Sequence, residues 1–171
     1  MKSLLVATAA TLVAAAGTTA ATVAADANAS PANVILFVID DLGWGDLQLS
    51  GLPVDRSAGG HAEYTTPHLD RLAREGVVLD NYYVLQLCSP TRTSLLSSRY
   101  AYNTGLGNGV ITNGHAVALR LNESIMAEHF RGQGYRTSAF GKWDIGYHTW
   151  AHTPTERGFD HYLGAWRGVV S

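Results

Sequence analysis

The chain has 171 residues, enough for one domain with a real core, and its formal net charge is −2. No run of lysine or arginine forms a basic patch, which excludes a protein that binds nucleic acid through such a surface. Cys88 is the only cysteine, so the chain cannot form an internal disulfide.

The N-terminus predicts a secretory signal peptide over residues 1–25. Lys2 gives a positive start, residues 4–16 are apolar and Ala-rich, and small residues around Ala25 offer a cleavage site. The apolar run is short for a membrane-spanning helix, so we expect no membrane contact after cleavage, with an uncleaved anchor as the alternative. Residues 26–32 read as a linker.

Two further features bear on how a secreted chain would be interpreted. Secreted proteins use cysteine mostly in pairs, so a single one points to a free thiol or to another chemistry. Asn122-Glu123-Ser124 is a glycosylation sequon if the protein comes from a eukaryote. We therefore expect a protein of the secretory pathway, extracellular or lysosomal.

The first predicted element after the linker is a strand over residues 34–39, an unbroken apolar and β-branched run typical of a buried parallel strand. It ends in Asp40-Asp41. Open α/β sheets bind ligands at the carboxyl ends of their strands, and calcium takes several carboxylate oxygens. The two residues are therefore candidate metal ligands, and the alternative is an Asp-rich turn without metal.

The rest of the chain predicts further helices and strands. In chain order they are a helix from Thr66-Pro67 to Gly76, a strand over 77–84, a helix from about Pro90, a helix over 122–131 and a strand over 135–140. Residues 101–116 look irregular. This order favours an α/β sheet covered by helices.

Cys88 lies two residues before Pro90 and four before Arg92. A helix N-terminus favours anions and a guanidinium is a strong partner for anions, so this layout suits a nucleophile that handles anions. Lys142 follows the last predicted strand, and we expect it to lie near Cys88 and Asp40-Asp41 at one sheet edge. The alternatives are a buried free thiol, a surface arginine and an ordinary surface lysine.

Seven runs of this chain, in order, resemble the sulfatase family, most closely arylsulfatases of the arylsulfatase B type. They cover nearly everything after the signal peptide, and together they are very specific. The runs are 33–44 (NVILFVIDDLGW), 66–70 (TPHLD), 80–83 (DNYY), 88–92 (CSPTR), 134–137 (GYRT), 141–143 (GKW) and 157–160 (RGFD).

The resemblance implies an alkaline-phosphatase-like α/β fold, with residues 33–171 as an incomplete, N-terminal part of the catalytic domain. It implies hydrolysis of sulfate esters, on a sulfated small molecule or a sulfated glycan. Cys88 would be converted to formylglycine by the formylglycine-generating enzyme, and the hydrate would be the nucleophile. The metal would be calcium, or magnesium, with Asp40, Asp41 and the modified Cys88 among its ligands.

The resemblance also implies roles for three other residues. Arg92 would hold the nucleophile and neutralise charge at the metal site, and Lys142 would bind the substrate sulfate. Asp144 stands where the family usually has a histidine that helps to take a proton from the formylglycine hydrate. A carboxylate can act as a base but adds negative charge beside a negative substrate, so we predict slow or altered turnover. His148 is the alternative base.

Other departures keep two further functions open. Thr91 replaces a usual serine, and Ser97-Ser98 replaces Thr-Gly in the outer part of the modification motif. With Asp144 and unassigned later metal ligands, they favour a non-catalytic, sulfatase-derived secreted binding module. A phosphatase or phosphodiesterase of the same fold is disfavoured by the cysteine. As a fragment, the chain should be poorly stable and little active.

A zinc site is a weaker hypothesis for one histidine pair. His148 and His152 are four residues apart, as zinc ligands on a helix can be. Gly146 and Pro154 argue against a helix there, so we expect a structural or surface role.

Overall fold

The computed structural model describes residues 31–43, 46–47, 49, 65–112 and 114–168. The chain divides into two compact units, Met1–Tyr83 and Val84–Ser171. The predicted signal peptide, most of the predicted linker and Trp44 lie outside the described residues. In the described part of the chain, no helix is both long enough and apolar enough to cross a membrane.

In the first unit, the strand predicted over residues 34–39 is wrong. These residues form neither helix nor strand, and their side chains are exposed, from 37% for Leu36 to 70% for Phe37. A strand becomes buried on both faces only when neighbouring strands and covering helices surround it. The sheet found among the described residues has two strands, and both belong to the other unit.

The first helix, α1, spans Pro67–Glu75, as its sequence predicts. Pro67 begins it and Gly76 follows its end, but the Thr66 hydroxyl donates to the Asp70 carboxylate at 3.1 Å instead of capping a backbone N–H. The strand predicted over 77–84 reduces to one bridge residue, Tyr83. The small core of this unit contains Leu47, Leu49 and Ala73, with Leu42, Leu69 and Val78 packed around them.

The α-helices among the described residues of the second unit are α2 (Cys88–Ser97), α3 (Ala101–Thr104) and α4 (Met126–Gly132), and two short 3-10 helices follow at Trp150–His152 and Pro154–Arg157. The helix predicted from Pro90 is confirmed and begins two residues earlier, because a proline is tolerated anywhere in a first turn that needs no N–H partner. The helix predicted over 122–131 begins later, at Met126, where the Glu128 carboxylate accepts the Ile125 N–H at 2.8 Å. The short α3 lies in a stretch expected to be irregular.

Two short strands in the C-terminal part of this unit pair in parallel, β1 (Ser138–Phe140) and β2 (His161–Leu163). The register pairs Ser138 with His161 and Phe140 with Leu163. The Asp160 carboxylate fixes the start of the pair by accepting the Thr137 N–H at 2.9 Å. This bond is the main cause that lowers the pKa of Asp160 below its ordinary value.

Hydrogen bonds continue beyond the strands. The Gly141 N–H donates to the Leu163 carbonyl at 2.9 Å, and the Asp144 N–H donates to the Trp166 carbonyl at 3.1 Å. Residues 141–144 are therefore held against residues 163–166. The main core lies in this unit and comprises Leu106, Ile111, Leu119, Ile125, Ala127, Trp143 and Ile145.

A buried arginine supports this core. Arg157 is 2% exposed and its Nε donates to the Glu128 carboxylate at 2.9 Å. The same guanidinium donates to the backbone carbonyls of Leu119 and Glu123. A buried guanidinium needs this many acceptors because its charge has lost its water. Arg157 therefore connects the segment before β2 to α4 and to the turn before it.

Candidate active site

The first turn of α2 presents Cys88, Ser89 and Arg92 on neighbouring positions of one helix face. Residues three and four apart in a helix lie one above the other, and Arg92 is three residues after Ser89 and four after Cys88. Cys88 is a free cysteine of intermediate exposure, whereas Ser89 is fully buried. The helical spacing thus brings the cysteine, a hydroxyl and a guanidinium into one small region.

Two hydrogen bonds connect this turn to the segment after β1. Arg92 Nη1 donates to the Lys142 carbonyl oxygen at 2.5 Å. Ser89 Oγ donates to Asp144 Oδ2 at 3.0 Å. The structure therefore brings together the helix turn that carries Cys88 and the segment that carries Lys142 and Asp144, all within the second unit.

Lys142 and Asp144 form an ion pair, with Lys142 Nζ 3.8 Å from Asp144 Oδ2. The carboxylate is buried, at 2% exposure, and the lysine side chain is partly accessible, at 19%. The other oxygen, Asp144 Oδ1, accepts a hydrogen bond from the Gly168 N–H at 3.0 Å. Asp144 has a φ of 62°, in the left-handed region, a conformation that aspartate tolerates better than most residues. Both oxygens of this carboxylate are engaged by groups of the chain itself.

Aromatic side chains surround this region. Tyr162 of β2 donates its hydroxyl to the Gly141 carbonyl at 3.0 Å. Burial raises the pKa of Tyr162, while the Arg92 guanidinium acts in the opposite direction. Trp143 is 3% exposed, and its indole N–H donates to the carbonyls of Gly146 and His152. The segment that carries Lys142 is therefore fixed on both sides.

His148 and His152 stack on each other, with ring centroids 4.3 Å apart. The second imidazole lies on a short 3-10 turn, Trp150–His152, and its Nδ1 is 2.6 Å from the Thr149 hydroxyl. Burial, then His148, then Arg157 lower the pKa of His152 below its ordinary value of 6.5. The pair is not on an α-helix, as Gly146 and Pro154 predict.

Asp40 and Asp41 lie at a turn after the exposed segment 31–39, in the other unit. Asp41 has a φ of 57°, again in the left-handed region. Two adjacent carboxylates supply the hard oxygen ligands that calcium and magnesium prefer. Across the described ranges, no group of three or more His, Cys, Asp or Glu side chains could hold a metal ion.

Sequence reasoning missed two residues of the region around Lys142. Ser89 stood inside the cysteine motif without a role, and its contact with Asp144 joins residues 55 positions apart. Gly168 had no signal in the sequence, yet a side chain there would meet Lys142 Nζ at 3.3 Å. The signal that could have found Ser89 is its helical spacing from Arg92.

The parallel strands, the α-helices and the residues grouped after the end of β1 place this chain in the α/β class. A family model described as Sulfatase matches residues 32–170, nearly the whole chain. The chain belongs to the sulfatase family.

Individual relatives agree with this assignment. The chain is 34% identical over 145 residues to arylsulfatase J of Mus musculus, covering 85% of this chain and 23% of that protein. It is 39% identical over 140 residues to arylsulfatase A of Bos taurus, covering 81% and 26%. It is 35% identical over 146 residues to N-acetylgalactosamine-6-sulfatase of Sus scrofa, covering 79% and 26%. The chain spans about a quarter of the length of these relatives.

A solved structure shows the same fold. The crystal structure of Ps i-CgsB matches with a TM-score of 0.65 and 32% identity, over 75% of this chain and 27% of that one. A structure of Ps i-CgsB in complex with k-i-k-neocarrahexaose matches equally well, with a TM-score of 0.65 and 31% identity. The α/β fold expected from the sequence is therefore confirmed.

Proposed function

We propose that the protein hydrolyses sulfate esters and that Cys88, Arg92 and Lys142 belong to its active site. The observation that carries this proposal is the pair of hydrogen bonds from Arg92 and Ser89 to the segment of Lys142 and Asp144. They connect the helix turn that carries Cys88 to the segment whose Lys142 ammonium group is partly accessible. A sulfate ester is an anion, and such an arrangement suits binding one next to a nucleophile.

Lys142 and Arg92 have different roles in this proposal. Lys142 is partly accessible and can contact a sulfate oxygen directly, where its charge stabilises the charge that develops during transfer. Arg92 is bonded to the backbone of Lys142 and brings a second positive charge to the same turn as Cys88. Arginine suits this role because its planar guanidinium can hold a carbonyl while staying charged.

The proposal includes conversion of Cys88 to formylglycine. The side chain fits such a group in position, since it stands in the first turn of α2 and is only partly buried. When present, the hydrated aldehyde supplies a nucleophilic oxygen and a bound cation supplies a Lewis acid. The chain itself contributes a fixed helix turn and two cations.

Asp40 and Asp41 are proposed as part of the site for that cation, calcium or magnesium. Their carboxylates fit a hard divalent ion in kind, and because calcium takes six to eight oxygens they would be only part of its ligand set. Calorimetric titration with CaCl₂ tests this. The variant with Asp40→Asn and Asp41→Asn should bind calcium at least about tenfold more weakly. Equal affinity would contradict the assignment.

The substrate is proposed to be a sulfated small molecule or a sulfated glycan, as the names of the relatives suggest. We also propose that the protein enters the secretory pathway through its N-terminal 25 residues and meets the formylglycine-generating enzyme there. Sequencing the N-terminus of the secreted protein tests the cleavage.

Mass spectrometry of the Cys88 peptide tests the central proposal. Protein made in a host with the modifying enzyme should carry an aldehyde at Cys88 and hydrolyse an aryl sulfate faster than the matching aryl phosphate. Cys88→Ala should abolish the activity and leave the fold unchanged. An unmodified thiol together with activity that survives Cys88→Ala would remove the mechanism.

One observation favours the alternative, a non-catalytic module that binds sulfated glycans. Asp144, which stands at the position of the expected base, is buried and engaged by Ser89 and Gly168. A binding module needs Lys142 and Arg92 but no aldehyde. Binding of a sulfated oligosaccharide by protein in which Cys88 stays a thiol, without hydrolysis, would favour this function over the enzyme.

A further inference from the structure

Asp144 is the meeting point of three separate segments. Its carboxylate accepts from Ser89 of α2 and from the Gly168 N–H after β2, and it pairs with Lys142. At 2% exposure it has almost no contact with water. A base must bring an accessible oxygen within reach of the proton that it takes. Here each oxygen already accepts a hydrogen bond and the carboxylate is almost fully buried, which argues for another role.

Ser89 makes the direction of these bonds definite. Its hydroxyl is fully buried, and its oxygen accepts the Ile111 N–H at 2.9 Å. A serine hydroxyl has one proton, and that proton points to Asp144 Oδ2. Asp144 Oδ1 accepts from Gly168 in turn, so each carboxylate oxygen is an acceptor. These hydrogen bonds therefore run from Ile111 through Ser89 to Asp144, whose carboxylate lies 3.8 Å from the Lys142 ammonium group.

Building on the proposed sulfatase function, we propose that Asp144 and Ser89 are positioning residues, not bases. Together they fix the Lys142 ammonium group in one place relative to the turn that carries Cys88. Ser89 is adjacent to Cys88 in the chain, so its hydrogen bond to Asp144 also fixes the turn that carries Cys88 relative to Lys142. Lys142 would then bind a sulfate oxygen without first having to be ordered.

Ser89→Ala tests the link without changing any charge. Thr104→Val is the matched control, since Thr104 is equally buried, donates to the Ala101 carbonyl at 2.7 Å and accepts the Leu106 N–H. The readouts are the affinity for inorganic sulfate by calorimetry and the NMR signal of the Lys142 ammonium group, assigned with Lys142→Arg. Both use protein whose Cys88 is still a thiol.

We expect Ser89→Ala to move the Lys142 signal and to weaken sulfate binding about fivefold, the effect of one hydrogen bond. Thr104→Val should change neither readout. If Ser89→Ala and Thr104→Val behave alike, the positioning role is wrong.

Asp144→Asn gives a second test, because the direction in which it changes the sulfate affinity separates two explanations. If Asp144 only offsets the charge of Lys142, the substitution should strengthen sulfate binding. If it positions the lysine, binding should weaken, and the combined Ser89→Ala and Asp144→Asn variant should lose less than the sum of the two. Stronger binding, or simple additivity, would overturn the proposal.

Gly168→Ala tests the same point should Ser89→Ala fail to fold. Its new methyl group would lie 3.3 Å from Lys142 Nζ, so the flexible ammonium must shift while the backbone stays. We expect weaker sulfate binding at an unchanged melting temperature, and unchanged binding would count against positioning. Absence of aryl sulfate hydrolysis in the wild-type protein would refute the proposed function instead, and the sulfate affinities would still decide the role of Asp144.

Discussion

Residues 34–41 and the first turn of α2 both carry motifs of the sulfatase family, but they are held in different ways. Phe37 and its neighbours are exposed, and residues 34–39 form neither helix nor strand. Ser89 and Arg92, in contrast, are bonded to a segment about fifty residues later in the chain. An apolar strand needs neighbours on both sides, whereas a helix turn is formed by its own backbone and then needs only a few polar contacts.

The largest expected effect concerns Lys142 in the well-bonded region. Lys142→Met should lower kcat/KM for an aryl sulfate at least about 100-fold, because in the proposed reaction the ammonium group stabilises the charge that develops on the sulfate. Steady-state kinetics and a thermal melt measure activity and fold together. Arg136→Met, which removes a cation bonded at the surface to His161, is the control and should retain activity. A loss of less than about threefold would remove Lys142 from the site.

Arg157 tests how strongly polar contacts hold the second unit. Arg157→Leu should lower the free energy of unfolding by about 3 kcal/mol, because it deprives Glu128 and two buried carbonyls of their donor. Urea denaturation measures it. Arg99→Leu is the control, because the Arg99 side chain is 52% exposed in its ion pair with Glu123, and it should cost under about 1 kcal/mol.

The first region should respond much less to substitution. Phe37→Ser should change the free energy of unfolding by less than about 0.5 kcal/mol, because its side chain is 70% exposed. Leu119→Ala, in the core of the second unit and fully buried, should cost about 3 kcal/mol. A large loss from Phe37→Ser would break the comparison and show that this segment is buried in solution.

The smallest effect is a pH dependence from the stacked histidines. Since burial and His148 lower the pKa of His152, the folded chain favours the neutral ring and the unfolded chain binds more protons. The contribution of His152 to the free energy of unfolding should therefore be fully present above pH 6.5 and should decrease as the pH falls from there towards the lowered pKa. Thermal melts from pH 7.5 to 5 measure this, and His152→Gln should flatten the curve. A wild-type curve that rises on acidification would contradict it.

The sequence predicted those elements whose signals are local. Thr66-Pro67 and Gly76 bound α1 correctly, and Pro90 indicated α2. The strand over residues 34–39 failed because its burial depends on neighbours that the described residues do not provide. The strand β2 was missed because its pattern is three residues long and half exposed.

For the candidate site, the sequence suggested which residues to consider but not which hydrogen bonds they make. Cys88, Arg92 and Lys142 were recognised from motifs, and the structure brings their segments together. The roles of Ser89 and Gly168 could not be read from the sequence, because each depends on a contact with Asp144 that only the fold creates. Asp144 itself was expected as a base, and its contacts now favour a positioning role.

The spacing of Ser89 and Arg92 limits how the length of this segment can change during evolution. Each residue of an α-helix advances the side chain by about 100° around the axis. Adding or removing one residue between them would therefore rotate one of the two bonds away from its partner on residues 142–144. The length of the cysteine motif should therefore matter as much as the identity of its residues, and we expect substitutions between Ser89 and Arg92 to be tolerated more readily than insertions.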